Sequence, residues 1–439
     1  MILSLGMGFY HLVTFMALLL GWPYLLGMLA LGHQEKWRQR LGCLSQSSGR
    51  AVWIHGASVG EMGVIAPFLA QLKILMPEKN IVLSTMTATG QKRAGQIFSG
   101  KAAEIFFLPL DFWFAQKLAV SRINPGALVL TETEIWPNLI RQCQRRNIPV
   151  FLVNARLSAR SFKYYHALRF LFGPLLNTLQ LIACQSKGDA ERYLALGVRQ
   201  NIVTVTGNLK YDGIKGPVSQ LEKQELRKGF GLSPKDLVFA AGSTREGEET
   251  TILEAWQGSL KNGKWEIGNW KLIIAPRHPG RFFEVEKLLI SQNLNYTKRS
   301  TQKNGGNSKA FDILLLDTIG ELVNAYAASD IAFVGGSLAP VGGHNPLEPA
   351  ALGLPVIFGP HMFNARESAE GLLACGGAVQ VKDAGELKDA LAEFLGNQEK
   401  RLLTGNKARS LVDSKRGVSK LTAELVAGRI NRRRQERLR

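Results

Sequence analysis

The sequence Phe333-Val-Gly-Gly-Ser-Leu-Ala-Pro-Val-Gly-Gly-His-Asn-Pro-Leu-Glu348 runs from a short apolar strand through a glycine-rich loop into the start of a predicted helix. Glycines let the backbone approach a ligand closely, and the N–H groups and dipole of a helix start favour a phosphate. Glu348 falls about one turn into this helix, where its carboxylate can accept a hydrogen bond from a sugar hydroxyl. The following segment, Gly353 to Pro360, is typical of a helix end, a buried strand and a turn. The stretch therefore predicts a nucleotide pocket within a strand, helix and strand crossover.

Composition indicates a globular chain with more than one core. The chain has 439 residues, of which 46% are hydrophobic and 20% charged, and this length favours two domains. Its four cysteines lack a C-x-x-C pair, which argues against a disulfide framework or a zinc site. Its seven histidines lack the spacing that places two ligands on one helical face. The sequence therefore predicts neither a protein-bound metal nor a cofactor.

The charge pattern points to an anionic partner and to a membrane. The net charge is +19, which suits a nucleic acid, acidic lipid or phosphorylated substrate. Residues 2–31 contain no charged side chain, and a run of this length exceeds the roughly 20 residues that span a bilayer. A signal peptide is the main alternative, but the positive charges follow the apolar run, at Lys36, Arg38 and Arg40. We expect residues 1–33 to form an anchor that spans or lies half-embedded, with a buried core helix as the remaining alternative.

Short apolar runs alternate with helical stretches along the rest of the chain, as in parallel sheets covered on both faces. We predict a first domain over 34–215, a second over 216–425, a linker from Tyr211 to about Leu232 and a basic tail over 426–439. Both domains are expected to be doubly wound and Rossmann-like and to face one another. The predicted strands of the first domain are Ala51–His55, Asn80–Ser84, Ile105–Leu108, Ala127–Leu130, Pro149–Asn154, Leu181–Gln185 and Ile202–Thr206. Those of the second are Leu237–Ala241, Lys271–Ala275, Ile313–Leu316, Ile331–Val334, Val356–Phe358 and Ala378–Val381.

Charged residues collect at the carboxyl ends of these strands, where ligands of such sheets bind. Glu61 follows the first strand of the first domain, and Glu132 and Glu134 follow the fourth. Lys210 and Arg277 come after later strands. Buried carboxylates are costly without partners, which favours a functional role. The alternative is that the glutamates are helix-start charges and the cations are solvated surface residues.

Two further function classes compete with a nucleotide-sugar transferase. Gly56-Ala-Ser58-Val-Gly60 matches the G-x-S-x-G elbow of serine hydrolases. In that fold, however, the nucleophile follows several strands, whereas Ser58 follows the first. A basic nucleic-acid binder would need interleaved aromatic residues or a recognisable module, and the sequence shows neither. We therefore keep a membrane-anchored serine hydrolase as the alternative.

A set of motifs resembles the 3-deoxy-D-manno-octulosonic acid (Kdo) transferases of lipopolysaccharide synthesis. The resemblance runs in order over nearly the whole chain, including the apolar N-terminus. The motifs are His55-x-x-Ser-Val-Gly-Glu61, Ser84-Thr-Met-Thr-x-Thr-Gly90, Glu132-Thr-Glu-Ile-Trp-Pro-Asn138, Asn154-Ala-Arg-Leu-Ser-x-Arg160, Gly207-Asn-Leu-Lys210, Pro276-Arg-His-Pro279, Phe333-Val-Gly-Gly-Ser337 and Gly342-Gly-His-Asn-Pro-Leu-Glu348.

The resemblance implies a GT-B glycosyltransferase that moves Kdo, with inversion, from CMP-Kdo to the tetra-acylated lipid A precursor. The reaction would take place at the cytoplasmic face of the inner membrane, beside anionic lipids. The first domain would bind the acceptor, and the second would bind the CMP-sugar. Glu61 matches the family's general base, and Glu132 and Lys210 match positions that stabilise the transition state. The implied CMP-binding residues are Pro276, Arg277, Ile319, Gly320, Glu321, Asn345, Pro346, Leu347 and Glu348.

Overall fold

The computed structural model describes residues 2–30, 34–46, 49–100, 102, 104–260, 269–302 and 310–438. The chain divides into two compact units. The first unit comprises Met1–Gly213 and Lys415–Arg439, and the second comprises Ile214–Ser414.

The first unit is built on a parallel sheet in the order β3-β2-β1-β4-β5-β6-β7. Its central strands are buried along their whole length, as expected for a sheet with helices on both faces. The strands are β1 Val52–His55, β2 Ile81–Thr85, β3 Glu104–Phe107, β4 Ala127–Thr131, β5 Val150–Ala155, β6 Leu181–Cys184 and β7 Val203–Val205. The helices up to residue 195 are α1 Ile2–Ala30, α2 Gln34–Arg40, α3 Val59–Leu75, α4 Ala88–Phe98, α5 Trp113–Ile123, α6 Pro137–Arg145, α7 Ala159–Ala167, α8 Arg169–Leu176 and α9 Lys187–Ala195.

The second unit also contains a parallel sheet, in the order β10-β11-β9-β8-β12-β13-β14. The strands are β8 Leu237–Thr244, β9 Trp270–Pro276, β10 Tyr296–Lys298, β11 Ile313–Leu315, β12 Ile331–Val334, β13 Val356–Phe358 and β14 Ala378–Gln380. The helices are α10 Gln220–Gly229, α11 Glu248–Leu260, α12 Phe282–Ser291, α13 Leu322–Ala328, α14 Leu347–Ala351, α15 Arg366–Ala374, α16 Ala384–Gly396 and α17 Gln398–Ser414. The strand order reverses beside β8 in this unit and beside β1 in the first, so both sheets are doubly wound.

The predicted α/β fold class is confirmed, and every predicted strand is present. The ends of each strand lie within one or two residues of the expected ones, except that β8 continues three residues beyond Ala241. The sequence analysis missed β10, a three-residue edge strand that is only half-buried and therefore carries no apolar run. It also missed α10 inside the predicted linker. This helix is capped by Ser219 and fastened by Arg227, whose buried guanidinium donates to the carbonyl of Ala328 and to Asp330. The cap residue and the spacing of Leu and Arg indicate a helix at α10. Neither feature produces the apolar run that marks a buried strand.

The C-terminal segment belongs to the first unit. Helix α18, Val418–Leu438, packs on α3, and its Ala423 and Val426 are buried in the same apolar cluster as α3 residues. Asp212 fixes the start of α18 by accepting from the N–H groups of Gly417 and Ser419, at 2.7 and 2.5 Å. The prediction of a domain ending at 425 and a tail after it therefore differs from the observed units. The many arginines of this segment indicated a solvated tail. The segment is instead a helix whose buried stripe consists of small apolar residues.

Helix α1 packs on the body of the first unit through polar contacts as well as apolar ones. Tyr10 donates from its hydroxyl to Asp111 Oδ2 at 3.0 Å, and His11 Nε2 lies 2.7 Å from Asn138 Oδ1. Burial raises the pKa of Asp111 to about 6, although the N–H groups of Asn138 and Leu139 oppose the shift. In the part of the chain that the structure describes, no helix is both long and apolar enough to cross a membrane.

Replacing Asp212 by alanine removes the side-chain cap of α18. We expect the free energy of unfolding to fall by about 1 kcal/mol, which is typical of a lost helix cap. Chemical denaturation followed by circular dichroism measures the change. Asp389→Ala is the matched control because the Asp389 side chain is 74% exposed. Equal stability of the two variants would contradict the proposed role of this cap.

Candidate functional site

Glu61 lies in the first turn of α3 and takes part in a helix cap. Ser58, the N-cap residue, accepts from the N–H of Glu61 and donates from its hydroxyl to Glu61 Oε1 at 3.0 Å. Glu61 Oε2 accepts from the N–H of Ala57 at 2.8 Å, so the arrangement is a variant of the capping box. Glu61 therefore does take part in the start of α3, as the structural alternative expects. This arrangement leaves acceptor capacity on Oε1, because a carboxylate can take about four hydrogen bonds.

Thr131 connects Glu61 to the neighbouring strand. Its hydroxyl lies 3.0 Å from Glu61 Oε2 and 3.0 Å from the carbonyl oxygen of His55. Thr131 is 1% exposed and is the last residue of β4, which pairs with β1. Thr131 is not among the site residues predicted from the sequence. The available signal was its position at the end of a buried strand, directly before Glu132.

Glu132 adopts a left-handed backbone conformation with φ of 52°, which is uncommon for a residue other than glycine. Its Oε1 accepts from Asn154 Nδ2 at 3.4 Å. Burial raises the pKa of Glu132, the Glu61 and Glu134 carboxylates raise it further, and Arg156 opposes the shift. The structure thus brings Glu61 and Glu132 close enough to repel one another, at the carboxyl ends of adjacent strands.

Lys210 lies in a short 3₁₀ turn, Leu209–Tyr211, which packs near α3 in the same unit. The side chain of Asn154 connects this turn to Glu132, because its Oδ1 accepts from the N–H of Leu209 at 3.0 Å. Asn154 is 1% exposed and has φ of 53° at the end of β5. It belongs to a motif quoted above but was not selected as a site residue. Its amide joins the segments that carry two of the three predicted catalytic side chains.

Glu134 is held by a chain of buried side chains. Trp53 donates to Ser84 Oγ at 2.8 Å, and His55 Nδ1 lies 3.0 Å from both Ser84 Oγ and the carbonyl oxygen of Ser84. His55 Nε2 lies 3.2 Å from Glu134 Oε2. Trp136 also donates to Glu134 Oε2, at 2.9 Å. His55 is fully buried, so this chain fixes the Glu134 carboxylate relative to the sheet.

The predicted CMP-binding residues all lie in the second unit. Pro276 ends β9, and the exposed Arg277 follows it, with its N–H bonded to the carbonyl of Thr244 at 3.1 Å. Glu321 is clamped by Arg299 at 2.8 to 3.2 Å, and this contact lowers its pKa.

The loop after β11 and the start of α14 hold the other predicted residues. Gly320 has φ of 94°, which favours glycine there, and Ile319 is 80% exposed. Asn345 accepts from the N–H of Leu347 at 3.1 Å and donates to Glu348 Oε1 at 3.3 Å, and Pro346 lies buried between them. Burial raises the pKa of Glu348, whereas Asn345 and Arg277 oppose the shift.

Glu248 organises the glycine-rich loop that opened the sequence analysis. Its carboxylate accepts from the N–H groups of Gly336, Ser337 and Leu338 at 2.7, 2.9 and 2.8 Å. It also accepts from the N–H of Arg245 at 2.9 Å. These loop N–H groups are therefore paired within the protein. Glu248 is not among the residues predicted from the sequence, although its position beside Glu249, four residues after the end of β8, is a readable signal.

The described residues contain no group of three or more His, Cys, Asp or Glu side chains arranged to hold a metal ion. The arrangement found instead is a carboxylate pair in the first unit, joined by Asn154 to the turn that bears Lys210, and arginines with histidines and carboxylates in the second unit. Such groups are suited to proton transfer and to binding an anionic ligand.

Comparison with known proteins agrees with the resemblance of the motifs. Residues 35–213 match a family model described as 3-deoxy-D-manno-octulosonic-acid transferase (kdotransferase). The 3-deoxy-D-manno-octulosonic acid transferase of Haemophilus influenzae is 34% identical over 91% of this chain and 93% of its own length. The Bordetella pertussis enzyme of the same name is 34% identical over 85% and 86%. The fold resembles a UDP-GlcNAc 2-epimerase from Neisseria meningitidis, with a TM-score of 0.58 at 14% identity over 86% of this chain and 99% of that one.

Replacing Thr131 by valine should lower the turnover of the enzyme about tenfold, because Glu61 Oε2 loses a hydrogen bond to a charged group worth about 1.5 kcal/mol. Thr131→Ser, which keeps the hydroxyl, should retain most of the activity. Steady-state assay of both variants, with thermal unfolding measured in parallel, checks the expectation. Full activity of the valine variant would show that this contact does not support the reaction.

Proposed function

Because this chain belongs to the 3-deoxy-D-manno-octulosonic acid transferase family, we propose that it transfers Kdo from CMP-Kdo to the tetra-acylated lipid A precursor. The observation that carries the proposal is the carboxylate pair Glu61 and Glu132, which Asn154 joins to the turn that bears Lys210. Glu61 and Glu132 follow adjacent strands of the first sheet, and the turn that bears Lys210 packs near α3. If Glu61 served only as a helix cap, it would require neither Glu132 nor Lys210.

In the proposed mechanism Glu61 takes the proton from the acceptor hydroxyl while that oxygen attacks the anomeric carbon of Kdo. Attack from the face opposite the departing CMP inverts the configuration at that carbon. The contacts of Glu61 support this role, because Ala57, Ser58 and Thr131 fix the carboxylate while Oε1 keeps acceptor capacity. A base held in one orientation is preorganised for proton transfer.

Glu132 and Lys210 would stabilise charges that develop in the transition state. A carboxylate favours the positive charge that accumulates on the sugar ring, and an ammonium group favours negative charge on the leaving phosphate. The donor would be held in the second unit by the arginine and the loops that end β9, β11 and β12. Since CMP leaves with a single phosphate, cationic side chains are sufficient to neutralise it in this proposal.

The alternative of a serine hydrolase is less well supported. Within the described residues, the Ser58 hydroxyl makes its contacts with Glu61 and not with a histidine. The nearest histidine in sequence, His55, has its two ring nitrogens directed at Ser84 and Glu134. A Ser-His-Asp type of relay therefore has no support at this elbow.

The decisive experiment uses Glu61→Gln, because glutamine can keep the cap but cannot accept the proton. We expect this variant to lose Kdo transfer by a factor of at least 100, the lower end of general-base contributions, with little change in thermal stability. The assay supplies CMP-Kdo, generated in situ, and the lipid A precursor, and follows lipid mass and free CMP.

Ser58→Gly serves as the comparison, since glycine at an N-cap costs only a few tenths of a kcal/mol. The glycine variant should remain active, with a loss of no more than about tenfold, because it removes one of the three hydrogen bonds that fix Glu61 and leaves the carboxylate in place. A glutamine variant with wild-type activity would remove Glu61 as the base, and an inactive glycine variant that still folds would reopen the hydrolase interpretation. Absence of a Kdo-lipid from the wild type would reject the proposed acceptor.

We further propose that the protein works at the cytoplasmic face of the inner membrane, with α1 as its contact to lipid. Leu12, Phe15 and Leu19 recur at the spacing of one helical face and are 61%, 55% and 55% exposed. Exposed apolar groups of this kind favour an apolar partner. The net charge of +19 favours anionic headgroups.

Changing Leu12, Phe15 and Leu19 together to glutamine should reduce cosedimentation of the protein with vesicles that contain anionic phospholipid. A triple glutamine variant at other exposed apolar positions is the control and should bind as the wild type does. Its positions are Leu221, Ile290 and Leu402, which are 74%, 60% and 55% exposed. Equal loss in both variants, or in neither, would contradict a specific contact through α1.

A further inference from the structure

Arg245 directly follows β8 and lies among histidines of the glycine-rich loop and of the loop after β9. Its Nε donates to His344 Nε2 at 3.4 Å, and its Nη1 lies 2.5 Å from His278 Nε2. Since a guanidinium can only donate, both imidazole nitrogens act as acceptors, and both rings are neutral in this arrangement. Among the described residues, no ion pair joins the Arg245 side chain to a carboxylate. Its orientation is therefore fixed while its charge stays uncompensated by direct contact.

The surroundings of His344 favour this state. Burial, together with the charges of Arg277 and Arg245, lowers the pKa of His344 to about 4. The ring also approaches the backbone of Gly336 closely, because a Cβ atom at that position would lie 3.2 Å from His344 Cδ2. Gly336 has φ of 70°, so two features require glycine there. A neutral imidazole is thus built into the loop as a partner for Arg245.

Glu248 connects the backbone of Arg245 to the glycine-rich loop. Its carboxylate accepts from the N–H of Arg245 and from three consecutive N–H groups that begin at Gly336. Because Glu248 is 2% exposed, these bonds form in a buried setting where an unpaired N–H would be costly. The Glu248 carboxylate is therefore paired with backbone N–H groups. The Arg245 guanidinium contacts the two histidines instead.

Arg245 and Arg277 therefore present two positive charges beside His344, in the unit that contains the predicted nucleotide residues. An uncompensated, oriented arginine is suited to a phosphate, because its planar fork donates two parallel hydrogen bonds. We propose that Arg245 contacts the phosphate of the donor nucleotide. The inference rests on the proposed function, since it specifies a further residue of that donor site.

Arg245→Gln tests the inference with CMP and cytidine as probes in isothermal titration calorimetry of the full chain. We expect the dissociation constant for CMP to rise roughly tenfold or more, as for a lost hydrogen bond to a charged group. Cytidine lacks the phosphate, so its dissociation constant should change by less than about twofold, which is below 0.5 kcal/mol. Arg245→Lys, which keeps the charge without the fork, should fall between wild type and the glutamine variant.

Arg366→Gln is the matched control, because the Arg366 side chain is 79% exposed and the substitution is the same. It should bind CMP as the wild type does. Unchanged CMP affinity in Arg245→Gln would overturn the inference while leaving the proposed function intact, and so would an equal loss of cytidine affinity. A higher KM for CMP-Kdo with unchanged CMP affinity would place the contact on the sugar and overturn the phosphate contact. A wild type that binds no CMP would instead reject the donor assignment itself.

Discussion

The fold depends on pairing backbone N–H groups at the ends of buried parallel strands, where loops leave the sheet without a ladder partner. Buried N–H groups must be paired, and this chain repeatedly pairs them with side-chain carboxylates. Glu248 does so for the glycine-rich loop, Asp111 for the start of α6, and Asp189 for the N–H of Leu157. Asp330 accepts from Val238 N–H and from Arg227. Each carboxylate fixes a backbone segment at the end of a strand or at the start of a helix, and Glu248 does so for the loop that leads to the predicted residues Asn345 to Glu348.

The same constraint explains why the strands were predictable and the partners of the loops were not. A buried parallel strand must be apolar throughout, so runs such as those of β4 and β12 are visible in the sequence. A carboxylate that pairs with a loop is separated from it by many residues. Glu248 precedes its loop by 88 residues, and nothing in the local pattern of either segment names the other. The chemistry of the strand ends was predicted, whereas the residues that hold the strand ends in place were not.

Two segments differed from expectation because only a few of their side chains are buried. Helix α18 carries many arginines, yet small residues such as Ala423 and Ala427 form the stripe that packs against α3. Helix α10 is mostly polar and is fastened by Arg227 rather than by an apolar face. In both cases a polar composition indicated linker or tail, because composition does not record which few positions are buried. Asn154 was missed for a similar reason, since its role comes from a left-handed backbone and an amide that bonds in two directions.

Glu61 shows how a structural role and the proposed catalytic role can share one side chain. Its contacts with Ala57 and Ser58 close the first turn of α3, and this stabilises the helix whether or not any substrate binds. The same contacts restrict the carboxylate to one orientation, and the hydroxyl of Thr131 adds a third restraint. A general base needs this restriction, because proton transfer depends on distance and direction. The capping geometry is therefore no argument against catalysis. It supplies the rigidity that a base requires, and the remaining lone pairs of Oε1 supply the acceptor.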